Sequence, residues 1–71
     1  MNVYVFKTDI NSALLIELVK PLINSYKDIL DWSIVIEDID NVLRVVSVEL
    51  MENDIVQIIK TKGFICEALP D

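Results

Sequence analysis

Cys66 is the only cysteine among the 71 residues, so no intramolecular disulfide can restrict the unfolded chain and stability has to come from packing alone. A chain this short removes little apolar surface from water, which leaves room for one domain, and only if its core is efficient. The composition supplies such a core. Hydrophobic residues make up 54% of the sequence, against one glycine and two prolines, so the whole length is expected to fold without a low-complexity stretch. A lone thiol also suits a reducing, cytoplasmic setting.

Residues 2–7 read Asn-Val-Tyr-Val-Phe-Lys, β-branched and aromatic with apolar side chains on both faces, which predicts a central strand. Asp9, Asn11 and Ser12 then offer N-cap oxygens, and Leu15, Leu18, Val19, Leu22, Ile23 and Tyr26 recur at helical spacing, predicting a helix over about 11–27. Pro21 falls inside it and lacks the ladder N–H, so a kink is expected near residues 17–21. Trp32, Ile34 and Ile36 alternate with Ser33, Val35 and Glu37, the pattern of an edge strand over 32–38. Asp40 and Asn41 supply a loop of three or four residues, and a third strand follows over 42–49. Asn53 is placed to cap a second helix over 53–62, buried through Ile55, Val56, Ile58 and Ile59 and ended by Gly63 in the left-handed region; a last strand covers 64–69.

The order β-α-β-β-α-β resembles the ferredoxin-like arrangement, an α+β fold. Right-handed crossovers place both helices on one face of a four-stranded antiparallel sheet of order 4-1-3-2. This topology gathers three connections, around 7–12, 37–41 and 60–64, at one end of the sheet. Any site is expected there or on the face that no helix covers.

Charge and motif content exclude several functions. A net charge of -6 repels polyphosphate backbones, which argues against a nucleic-acid partner. Apolar runs fall far short of the roughly 20 residues that cross a bilayer. The first ten residues lack the pattern of a secretion signal, so neither membrane nor export is expected. Without histidine, and with one glycine, the chain has no hydrolytic triad and no phosphate-cradling loop, so no catalytic residue is assigned and an enzyme is not expected. Glu37, Asp38 and Asp40 lack the glycine and terminal glutamate of a calcium loop and read as a solvated hairpin, with Lys60 and Lys62 available to pair with them. Cys66 shares a strand face with Phe64 and reads as a buried small hydrophobe; no histidine activates it, and Glu67 would raise its pKa.

Val-Tyr-Val-Phe-Lys-Thr at 3–8 and Gly-Phe-Ile-Cys-Glu at 63–67, on a chain of this size and order, resemble the heavy-metal-associated domain family, which includes copper chaperones. The family carries Met-x-Cys-x-x-Cys after its first strand, whereas this chain reads Thr8-Asp9-Ile10-Asn11-Ser12-Ala13-Leu14. Cu(I) requires soft thiolates, which Asp, Asn and Ser oxygens do not replace. The resemblance therefore implies a degenerate, metal-free relative with no cofactor.

The expected function is a small metal-independent binding or protein-interaction module that associates with itself, as a possible homodimer, or with another protein. Its surface is the uncovered sheet face or an exposed edge. Because strand one is apolar on both sides, Val3, Tyr4, Val5 and Phe6 are all candidates, together with Arg44, Val46 and Val48 on strand three. One alternative is a soft-metal protein in which two copies each contribute Cys66. A further alternative is a ligand-sensing regulatory domain, to which no residue directs a particular ligand.

Overall fold

Phe6 decides which side of the first strand meets the helices: it is fully buried, and the strand's pleat carries Tyr4 and Thr8 inward with it. In the computed structural model, which describes residues 1–70, the order is β1 (Asn2–Thr8), α1 (Ala13–Asn24), β2 (Ile29–Val35), β3 (Val42–Ser47), α2 (Glu52–Thr61) and β4 (Cys66–Ala68). All strand pairs are antiparallel and the sheet runs β2-β3-β1-β4, the expected order read from the other edge. Phe6 lies opposite Leu43 and Tyr4 opposite Val45. With Val19 and Ile23 of α1, Ile55 and Ile59 of α2, and Cys66, these side chains form the core. Both helices therefore pack on the same face of the sheet, α1 toward β2 and α2 toward β4.

Ser12 is the N-cap of α1, its hydroxyl accepting from the Leu15 N–H at 3.2 Å. The helix passes Pro21 and stops at Asn24, three residues short of the predicted end. Tyr26 lies beyond it, and Leu18, counted in the apolar stripe, is half exposed. After a turn in which the Ile29 N–H reaches the Tyr26 carbonyl, β2 begins three residues earlier than its alternation predicts, with an irregularity in its pairing between Ile29 and Asp31. The Trp32/Ile34 and Ser33/Val35 faces are nonetheless as expected. Asp28 anchors this start: its carboxylate accepts from the N–H groups of Glu49 and Leu50 at 3.0 and 2.7 Å, tying the entry of β2 to the exit of β3.

Because β2 ends at Val35, the β2–β3 connection takes residues 36–41 rather than three or four, and Asn41 closes it at φ 44°, where asparagine is tolerated. Helix α2 starts one residue before the predicted start. Its N-cap is Met51, not Asn53; the Asp54 carboxylate accepts from the Met51 N–H at 2.8 Å and so supplies the capping that methionine cannot. Gly63 has φ 97° beyond the Lys62 cap, as its type requires. No helix among the described residues is long and apolar enough to cross a membrane.

Candidate functional site

The three connections do meet at one end of the sheet, and hydrogen bonds lock them together. The Thr8 N–H reaches the Asp40 carbonyl at 3.0 Å, and the buried Thr8 hydroxyl donates to the Asn41 carbonyl at 2.7 Å while accepting from the Ile10 N–H. Asp9 accepts from the Ile65 N–H at 2.9 Å, joining the β1–α1 loop to the connection that leads into β4. Lys7, rather than Lys60 or Lys62, is the cation that meets the acidic hairpin, at 3.8 Å from Asp40. With 52% and 40% of these two side chains exposed, the pair contributes little to stability. The polar side chains of this end serve the backbone, and none is left buried without a partner among the described residues.

Cys66 lies opposite Thr8 at the inner edge of this cluster, 1% exposed. Burial pushes its thiol up to about 11, Lys60 draws it down and Glu67 raises it further. This is the reverse of what a metal-binding or nucleophilic cysteine needs. Among the described residues no group of three or more His, Cys, Asp or Glu side chains converges as a metal site. The donor set at the loop does not fit Cu(I): one buried neutral thiol stands beside a carboxylate already engaged by an amide.

The uncovered face of the sheet has a different chemistry. The registers place Val46 beside Val3 and Asp31, Arg44 beside Val5 and Ser33, Val42 beside Val35, and Glu67 beside Lys7. Leu69, whose N–H donates to the Val5 carbonyl at 2.9 Å, extends the apolar band. Val3, Val35 and Val48 are each nearly half exposed. Arg44 stands among them with no ion pair within the described residues. Of the residues the sequence nominated, Val3, Val5, Arg44 and Val46 share this face, Val46 only 8% exposed; Phe6 is buried against the helices and Tyr4 is on the same inner side, its ring tilted 51° to that of Phe6. Its burial removes Phe6 from any docking surface; the pleat removes Tyr4 from the open-face band, although Tyr4 stays partly exposed.

The sequence reading missed two further features. A depression of about 440 Å³ lies beside β1 where β4 stops, lined by Val3, Tyr4, Val5, Glu52 and residues 68–70. A second, of about 350 Å³, lies between α1 and the outer edge of β2, lined by Ala13, Ile16, Glu17, Lys20 and Trp32. Only knowledge of which strands end the sheet would have located either.

No family model and no curated protein matches the chain. Solved structures do. It is similar to the Atx1–Cu(I)–Ccc2a complex, at 19% identity over 100% of this chain and 99% of that one with a TM-score of 0.83. It is also similar to the yeast copper transporter domain Ccc2a studied in its apo and Cu(I)-loaded states, at 19% identity over 100% and 99% with a TM-score of 0.80. A structure described under crosstalk between Cu(I) and Zn(II) homeostasis matches at 7% identity over 97% and 100% with a TM-score of 0.81. At these identities the likeness establishes architecture: the chain has the ferredoxin-like fold of copper chaperone and transporter domains.

Proposed function

We propose that the chain is a non-enzymatic, metal-independent protein-interaction module built on a copper-chaperone-like scaffold. The observation that carries this reading is the valine band on the uncovered sheet face, within which Arg44 has no ion pair among the described residues. Such a face fits a protein that presents aliphatic side chains and a carboxylate to meet the guanidinium. That a domain of the same fold occurs in a two-protein complex is consistent with it. Arg44→Glu reverses the central charge on an exposed position and leaves the core untouched. Proteins captured from the source cells by the wild type and lost by this variant, with backbone amides of β1 and β3 shielded from hydrogen exchange in the complex, are the expected result. Capture that ignores the substitution, or protection confined to the helices, overturns the proposal.

A copper-handling role is the second reading, favoured by the Cu(I)-containing structures that share this fold. In it two copies would each contribute one Cys66 thiolate to a soft ion. The burial of that thiol weighs against it. Titration of Cu(I) under reducing conditions into wild type and Cys66→Ser decides the matter. Negligible uptake by both is expected, and retention of one ion per two chains by the wild type alone would establish the copper role instead.

A further inference from the structure

The outer edge of β2 is a free strand edge. Its pairing with β3 uses the backbone groups of Asp31, Ser33 and Val35, in the phase set by the Val48 N–H on the Asp28 carbonyl, which turns the N–H and C=O groups of Trp32 and Ile34 outward. The usual defences of an edge are thin here. Residues 29–35 read Ile-Leu-Asp-Trp-Ser-Ile-Val, without lysine or proline, and carry one charge, Asp31. Above this edge the depression between α1 and Trp32 has an apolar floor of Ile16 and Trp32. Its rim carries one acid and one base, Glu17 and Lys20, exposed side chains that meet each other at 3.9 Å along the same helix, a loose pair that leaves both free to exchange partners.

We infer that the β2 edge and the adjoining face of α1 form a self-complementary surface whose occupant is a second copy of this chain. A two-fold axis perpendicular to the sheet pairs β2 antiparallel with its counterpart, joining the two sheets into one of eight strands. The same axis sets the two α1 helices antiparallel, so Glu17 of each copy faces Lys20 of the other. Charge complementarity selects a second copy over an unrelated peptide, since one acid and one base on a single helix face complement their own two-fold image. With the axis at Trp32, Asp31 stands opposite the second copy's serine rather than against itself, so the only charge in the strand meets no like charge. A net charge of -6 per chain opposes association at long range, which makes the dimer weak and stronger at moderate salt than at very low salt. This contact uses an edge and not the valine face, so it can fail while the open-face reading stands, and the reverse.

Sedimentation of the full chain from about 10 μM to 1 mM tests the inference, at concentrations where an edge contact of this size is measurable. Dimer is expected for the wild type at the upper end. At moderate salt, where the change of net charge is screened, Glu17→Lys and Lys20→Glu, each exposed and outside the core, should each weaken dimerisation by about tenfold, since two exposed ion pairs between the copies become two repulsions. The double charge swap should restore it. Concentration-dependent protection of the Trp32 and Ile34 amides from exchange should accompany the dimer. A wild type that stays monomeric at about 1 mM, single variants that dimerise like the wild type, or a double variant that fails to recover would each overturn the proposal.

Discussion

Phe6→Ala should remove most of the protein's stability and leave a readily detected unfolded fraction at physiological temperature, while Val3→Ala, three positions away on the same strand, should leave it folded. Phe6 is fully buried and packs opposite Leu43 at the centre of the single layer between sheet and helices. Removing a buried phenylalanine ring costs about 3–5 kcal/mol, lost transfer energy and residual cavity together. A domain of this size sits near the lower end of the usual stability range, about 5 kcal/mol, so the substitution removes most of what it has. Val3 is 47% exposed on the opposite face and its truncation should cost less than about 1 kcal/mol. Urea unfolding followed by Trp32 fluorescence measures both. A larger loss from Val3→Ala would mean that the faces of β1 are assigned the wrong way round.

That contrast marks where the sequence stops being legible. Both faces of β1 are apolar, so alternation located the strand without choosing its inner side; only the pairing of Phe6 with Leu43 under both helices makes the choice. The strand order was legible because β-α-β-β-α-β with right-handed crossovers leaves few arrangements. Element ends were less so. Met51 carries no capping oxygen, and its role depends on Asp54 reaching back three residues. The start of β2 hides in Ile29 and Leu30, where the pairing irregularity breaks the alternation. At the site, the burial of Cys66 followed from its place beside Phe64. The use of Asp9 to hold the Ile65 amide did not, because it joins residues 56 positions apart.

The second large effect concerns that cysteine. In the native protein Cys66 should react with iodoacetamide at pH 8 about a hundredfold more slowly than in the urea-unfolded chain. A thiol pushed up to about 11 carries about a hundredth of the thiolate of one at the ordinary 9.0, before burial restricts the reagent. Equal rates in the two states would show the thiol to be open and would revive a role for it at a surface. The same shift links to stability with a definite sign. The folded state holds this proton more tightly than the unfolded one, so the contribution is whole below pH 9 and disappears as the pH climbs through about 11. Alkali should therefore weaken the fold through this group, and Cys66→Ala should lose that part of the alkaline decline.

The clamp between Asp9 and the Ile65 amide, with the Ser12 cap beside it, bears on how readily residues 8–14 could accept a pair of thiolates. Two cysteines grafted into residues 8–14 at the expense of these side chains would strip an amide of its acceptor and a helix of its cap, each worth on the order of 1 kcal/mol. A graft that spares both is the one that keeps the fold intact, so the same side chains that knit this end of the sheet together also resist its conversion to ion capture.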